Sequence, residues 1–184
     1  MKATEILMEE HRVIERVLST LEKAAQRLDR GDNIQLAFFI DVADFIKGFA
    51  DGCHHKKEEN VLFPAMVAGG LSNESGPIAV MLAEHEEGRR LTRGMRQAAE
   101  GLQRGDITAK NLIIQNALGY VNLLRQHIVK ENNVLFPMAE RVIPQERHQK
   151  ITEDFEHIEH EETGEGIHEK YLGLADRLEK EMSS

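Results

Sequence analysis

The chain has 184 residues and a formal net charge of −9, so it fits one domain with a single core and lacks the clustered lysine and arginine that nucleic-acid binding needs. No apolar run approaches the ~18 residues of a transmembrane helix, and the N-terminal stretch is acidic where a signal peptide is apolar. With Cys53 as its one cysteine, the sequence predicts a cytoplasmic protein without disulfides or membrane contact.

The first predicted helix presents one apolar face. Its inward positions recur at alternating spacings of four and three residues, and His11 is one of them. Thr4 is placed to cap the start of this helix, and Gly31 is placed to end it. His11 is therefore expected on the buried side of the helix.

Three further long helices are predicted, over residues 33–63, 77–102 and 108–136. Beyond Ile143 the chain is rich in glutamate and retains two short apolar stripes. These stripes predict one or two further helices packed on the rest of the protein. They consist of Ile151, Phe155 and Ile158, and of Ile167, Tyr171, Leu174 and Leu178.

The four long helices form two copies of one hairpin. The stretch HHKKEENVLFP, which begins at His54, returns at His127 as HIVKENNVLFP with eight of eleven positions identical. His11 returns 74 residues later as His85, and an RGD turn follows the first helix of each copy. This repetition predicts an all-α fold: an antiparallel up-down four-helix bundle over residues 1–142, with a C-terminal helical extension over residues 143–184 packed on it.

Counting residues from the two turns places four histidines at one level of the bundle. In the first copy His11 lies 20 residues before Gly31 and His54 lies 23 after it, and the second copy repeats these separations to within one residue. At about 1.5 Å per residue, this level lies roughly 30 Å from the turns. A glutamate follows the second histidine of each copy by four residues, one helical turn on. The predicted metal ligands are His11, His54, Glu58, His85, His127 and Glu131.

A buried layer of imidazoles and carboxylates is costly unless a metal compensates its charge. The donor types suit iron, manganese or zinc, and two carboxylates in the layer are suited to bridging a pair of metals. The competing interpretation is that these residues form surface pairs of histidine and glutamate that support the helices. Six such residues at one level, in two symmetric halves, favour the metal centre.

The chain resembles the hemerythrin family, specifically its HHE cation-binding domain. The resemblance covers about residues 4–140 and rests on four ordered motifs, EEHRVIE, HHKKEENVLFP, EHEEGR and HIVKENNVLFP. The family implies two non-haem iron ions inside a four-helix bundle, joined by two carboxylates and an oxo or hydroxo group. By position it implies Glu58 and Glu131 as the bridging carboxylates and the four histidines at His11, His54, His85 and His127 as terminal ligands.

One departure from the family concerns the third helix, where oxygen-carrying members place two histidines one turn apart. His85 has only Met81 and Arg89 at that spacing, which leaves one metal position open or filled by another residue and disfavours reversible oxygen carriage. The repeat alignment selects His54 as the ligand, so the adjacent His55 is expected in an outer position or in solvent. The residues that could supply a further ligand are His55, Glu59, Glu84, Tyr120 and His160.

The resemblance implies a di-iron protein that binds or senses a small ligand such as oxygen, nitric oxide or peroxide, with room for a protein or electron-transfer partner. The alternatives are an enzyme acting on peroxide or nitric oxide or in iron–sulfur repair, an iron-responsive or storage protein, and a zinc-stabilised bundle without redox chemistry. Repair proteins of the family usually add an N-terminal segment with cysteine, whereas the bundle predicted here begins near Thr4. The sequence leaves the oligomeric state open.

Overall fold

The computed structural model describes residues 2–164 and 166–183, and within those ranges it contains helices and no strand. The helices are α1 (Ala3–Asp29), α2 (Leu36–Phe45), α3 (Phe63–Ala68), α4 (Gly76–Gln103), α5 (Ala109–Lys130), α6 (Phe136–Val142), α7 (His148–His157) and α8 (Ile167–Met182). π-Helical segments, in which the backbone hydrogen bonds span five residues, occupy Ile46–His55, Glu58–Leu62, Glu131–Leu135 and Ile158–Glu162. The predicted all-α fold is confirmed.

Four long helical rods build the bundle. The first is α1, the second runs without a break from α2 to α3, the third is α4, and the fourth runs from α5 to α6. The fourth rod packs along both α1 and α4, and α2 packs along α4. The extension adds α7 and α8, which pack against α1, while α8 also contacts α2. The predicted architecture of a bundle with extra C-terminal helices is therefore what the chain adopts.

The start of α1 differs from the prediction. The helix begins at Ala3, and Lys2 occupies the position before it. Thr4 lies inside the first turn, where its hydroxyl donates a hydrogen bond to the Glu140 carboxylate at 2.8 Å. The expected cap at Thr4 is therefore wrong. The expected stop is found, because Gly31 has a φ of +91°, in the left-handed region that favours glycine.

The second and fourth rods continue past the prolines at which they were expected to end. They run to Ala68 and Val142, and Pro64 and Pro137 each stand in the first turn of the α-helical segment that follows a π-helical one. A proline is tolerated in a first turn because its missing N–H would have no partner within that segment. The two prolines therefore mark a change of helix type and not the end of a helix.

Two apolar clusters fill the interior and leave a polar layer between them. Along α1, Leu7 belongs to the smaller cluster and Ile14 to the larger one, with the buried His11 between them. The antiparallel fourth rod has the reverse order around Glu131, with Ile128 in the larger cluster before it and Leu135 in the smaller cluster after it. The polar layer is therefore enclosed by apolar packing above and below, which keeps water away from it.

The extension contributes to both clusters. The predicted stripes bury Ile151, Phe155, Ile158 and Leu178. The Tyr171 ring lies so close to the second rod that a Cβ on Gly48 would meet it at 1.9 Å, so glycine is required for this approach. Within the described residues, no helix is both long enough and apolar enough to cross a membrane.

Candidate metal centre

The six side chains predicted as metal ligands come together in the buried polar layer. They form two groups that share Glu58, and within each group the potential ligand atoms lie within 4.8 Å of one another. The first group consists of His11, His54, Glu58 and Glu131. The second group consists of His55, Glu58, His85 and His127. The second group thus contains one residue that the sequence did not select.

His55 is that residue, and its position depends on a local change of helix type. It is 3% exposed, and its ring stacks on His85 with the ring centroids 3.9 Å apart. Consecutive residues of an α-helix point about 100° apart, but His54 and His55 close the π-helical segment Ile46–His55, where wider turns bring successive side chains closer in direction. The two adjacent histidines in the sequence were the signal that could have identified His55 as a member of the centre. Alignment of the two repeats hides this signal, because Ile128 occupies the position equivalent to His55.

The same π-helical segment accounts for a one-residue difference between the two halves. His54 lies 23 residues after Gly31, whereas His127 lies 22 after Gly105. The segment Ile46–His55 has no π-helical counterpart within α5. Because a π-helical insertion adds a residue without breaking the helix, both histidines reach the same polar layer.

Each imidazole is oriented by a hydrogen bond from its own Nδ1 to an acceptor outside the centre. In all five histidines Nδ1 donates to a carboxylate or amide oxygen at 2.7–3.0 Å. In chain order of the histidines, these acceptors are Asn132, Glu10, Asp51, Glu59 and Glu84. An acceptor on Nδ1 fixes the tautomer and the ring orientation, as it does for histidines that bind metals in proteins. The Nε2 atoms are therefore the ring nitrogens available to bind metal ions in the centre.

These outer acceptors follow the internal repeat. Glu10 and Glu84 are 74 residues apart and hold the histidines His54 and His127, while Glu59 and Asn132 are 73 apart and hold the other symmetric pair. Glu59 and Glu84, considered from the sequence as direct ligands, thus occupy outer positions. The acceptor of His55 has no equivalent in the second half, because His55 itself has none.

The two carboxylates of the centre differ in their protonation. Glu131 lies 3.1 Å from Nε2 of both His11 and His127, and although burial opposes them, these imidazoles hold its pKa well below the usual value. Burial, followed by the neighbouring Glu131 carboxylate, raises the pKa of Glu58 well above its usual value. Burial lowers the pKa of His127, but Glu131 and Glu84 outweigh it and raise that pKa to about 9. Without metal, Glu58 therefore favours its neutral form and Glu131 its ionised form, while His127 favours the imidazolium.

Buried polar atoms without hydrogen-bond partners are concentrated in this centre. Those in the described residues include Nε2 of three histidines and all four carboxylate oxygens of Glu58 and Glu131. Leaving each such group unsatisfied costs roughly 1–3 kcal/mol. The remaining two Nε2 atoms, of His85 and His127, face each other at 3.2 Å. A pair of cations would satisfy all these atoms, and a set of nitrogen and oxygen donors without thiolate suits iron, manganese or zinc.

His160 and Tyr120, also considered as further ligands, have different surroundings. His160 is exposed, whereas Tyr120 is buried and its hydroxyl has no hydrogen-bond partner among the described residues. Cys53, the neighbour of His54, is 2% exposed, and burial raises the pKa of its thiol to about 11. The thiol is therefore neutral near pH 7 and packs as a small apolar side chain.

Replacing Tyr120 with phenylalanine is expected to stabilise the metal-free protein by about 1 kcal/mol. The Tyr120 hydroxyl is buried without a hydrogen-bond partner, and removing an unsatisfied polar group removes its desolvation cost. Urea unfolding measures the change, and metal content is expected to equal that of the parent protein. A loss of bound metal in the variant would place the hydroxyl in the centre and contradict this view.

A family model and several known proteins match the chain. A family model described as the hemerythrin HHE cation-binding domain matches residues 2–139. An uncharacterized protein of Mycobacterium tuberculosis is 26% identical over 180 residues, which cover 98% of this chain and 70% of that protein. The iron-sulfur cluster repair protein YtfE of Escherichia coli is 34% identical over 88 residues, which cover 47% of this chain and 40% of that protein. No solved structure matches the chain.

Proposed function

Because the chain belongs to the hemerythrin HHE cation-binding domain family, we propose that it is a di-iron protein that binds or senses a small ligand such as oxygen or nitric oxide. The observation that carries the proposal is the pair of histidine and carboxylate groups sharing Glu58, with their unpartnered atoms directed at one another. A centre that shares a carboxylate suits two neighbouring metals better than one.

The residues divide unequally between the two metal positions. His11 and His54 would hold one ion, and His55, His85 and His127 would hold the other, with Glu58 and Glu131 between them. Bound iron supplies the ability to exchange electrons between its ferrous and ferric states. The position with fewer imidazoles would have a coordination site left for a small exogenous ligand, and the apolar clusters around the layer exclude bulk water from it. With His55 included, the donors no longer fall short of those in the oxygen-carrying hemerythrins.

Iron–sulfur cluster repair is the second candidate function, because YtfE, which is named an iron-sulfur cluster repair protein, is similar to about half of this chain. A pair of zinc or manganese ions in the same donors would be consistent with the residue types as well. In that case, the protein would be a metal-stabilised bundle without the redox chemistry of iron.

Anaerobic reconstitution with ferrous iron tests the proposal. We expect two irons per chain, and a new near-ultraviolet absorption from an oxo bridge when oxygen is admitted to the sample. Nitric oxide added to a parallel sample tests the second ligand, and peroxide consumption would favour an enzyme. One tightly held zinc with no optical response to oxygen would contradict the di-iron proposal.

Metal binding at pH 7.5 is expected to release protons. The pKa of His127, about 9, keeps that imidazole protonated in the metal-free protein at this pH, the raised pKa of Glu58 favours its neutral form, and metal must displace the protons bound to both groups. Apparent affinity is therefore expected to rise as pH increases from 6 to 8. Calorimetry in buffers of different ionisation enthalpy measures the protons released. Release close to zero would show that neither group is protonated beforehand.

A further inference from the structure

A buried chain of charged groups connects the first metal-binding group to the C-terminal extension. Nδ1 of His54 donates to one carboxylate oxygen of Glu10 at 2.8 Å, and the Lys57 ammonium donates to the other. The same ammonium donates to Glu159 at 2.8 Å. Lys57 is 0% exposed and Glu10 is 5% exposed, so little solvent screens these contacts.

The internal repeat contains a second copy of this series of charged contacts, but among the described residues the copy has no residue equivalent to Glu159. His127 donates to Glu84, and Glu84 accepts from Lys130, in the arrangement of His54, Glu10 and Lys57. Lys130, however, is 39% exposed, so its ammonium is open to solvent, whereas Glu10 and Glu159 enclose that of Lys57. The two halves of the centre therefore differ in that Glu159 of the extension binds Lys57, while Lys130 is open to solvent.

Lys57 fills a cluster that would otherwise suit a cation. Glu10, Cys53, Glu159 and His168 place potential ligand atoms within 4.8 Å of one another. The Lys57 ammonium bonds to both carboxylates of this cluster. Burial lowers the pKa of Lys57, but the surrounding groups, Glu10 first, outweigh it and raise the pKa above its usual value. The cluster therefore already contains its cation and does not form a further metal site.

We propose that Glu159 is a positioning residue, through Lys57 and Glu10, that sets the donor strength of His54 and makes the two metal positions inequivalent. The proposal rests on the proposed metal pair. A carboxylate that accepts from the Nδ1–H of a histidine increases the basicity of that ligand. The Lys57 ammonium weakens this effect, because it draws the negative charge of Glu10 away from the Nδ1–H of His54. Glu159 restores part of the effect, because its carboxylate binds the same ammonium and reduces the pull of Lys57 on Glu10. Glu159 lies beyond residue 139, where the match to the family model ends.

The first test uses metal-free protein and does not depend on iron binding. Nitrogen and proton NMR of the histidine rings reports the hydrogen bond from Nδ1–H of His54 to Glu10. In Glu159→Gln this proton resonance is expected to move upfield, because Lys57 then draws more strongly on Glu10 and weakens the bond. Glu156→Gln, at an exposed position on the same helix, is the matched control and is expected to leave the resonance unchanged. Equal spectra for the two variants would overturn the proposal.

The second test uses the metal-loaded protein. Glu159→Gln is expected to lower cobalt(II) affinity at one of the two positions by about 10-fold and to raise the iron reduction potential. Lys57→Gln is expected to shift the potential in the opposite direction, whereas Lys130→Gln, at the copy whose ammonium is 39% exposed, is expected to shift it less because solvent screens that charge. Shifts of the same sign for Glu159→Gln and Lys57→Gln would indicate a general disturbance and contradict the proposal. If Lys57→Gln does not fold, the comparison of Glu159→Gln with Glu156→Gln decides.

Failure of the inference can be distinguished from failure of the proposed function. A parent protein that does not bind two metals contradicts the proposed function, while the NMR comparison still decides whether Glu159 acts on His54. A parent protein that binds two metals, together with variants that equal it in spectrum, affinity and potential, overturns the inference alone.

Discussion

Replacing His55 with alanine is expected to leave the chain with one tightly bound metal ion in place of two. His55 is one of three histidines in the second group, and its Nε2 atom has no partner other than what the centre would provide. Loss of an outer partner alone typically costs 10–100-fold in metal affinity, so loss of a ligand should weaken one position by more than about 100-fold. Competition with a chromophoric chelator and a count of bound metal measure the effect.

His160→Ala is the matched control for this experiment. His160 is also a histidine on a helical segment, but it is exposed and lies outside both groups. The control is expected to bind metal as the parent protein does. A His55→Ala variant that retains two metals at parental affinity would return His55 to the outer position that the repeat alignment predicts.

Glu58→Gln and Glu131→Gln are expected to abolish the metal pair equally but to differ in the stability of the metal-free protein. The raised pKa of Glu58 favours its neutral form without metal, so glutamine should keep that neutral character and change the free energy of unfolding by less than about 1 kcal/mol. Glu131 is the carboxylate that faces His11 and His127 at 3.1 Å. Removing one partner of a buried ion pair costs about 3–5 kcal/mol, which is the loss expected for Glu131→Gln.

Thermal unfolding with and without metal measures both parts of this prediction. Metal at about 1,000 times its dissociation constant should stabilise the parent protein by about 4 kcal/mol, and neither variant should respond. Equal losses of metal-free stability in the two variants would show that the carboxylates share the charge evenly.

Much of the fold and most of the centre follow from the sequence alone. Alternating spacings of three and four residues define the helices, and the recurrence of His11 as His85 and of Glu58 as Glu131 defines two equivalent halves. Because rise per residue is constant along a helix, counting from the turns is enough to bring these side chains to one level. The same counting leaves the protonation of the centre undetermined, since that depends on the distances between groups.

Tertiary structure alone decided the role of His55, the course of the rods past their prolines and the surroundings of Lys57. His55 faces inward because a π-helical segment changes the direction of successive side chains, and such a local change leaves no periodic signal in the sequence. Lys57 lies in the charged stretch KKEE, yet it is 0% exposed and binds Glu159, which is 102 residues away in the sequence. Helical periodicity specifies which faces are buried within one hairpin, whereas the contact between Lys57 and Glu159 exists only after the extension has folded onto the bundle.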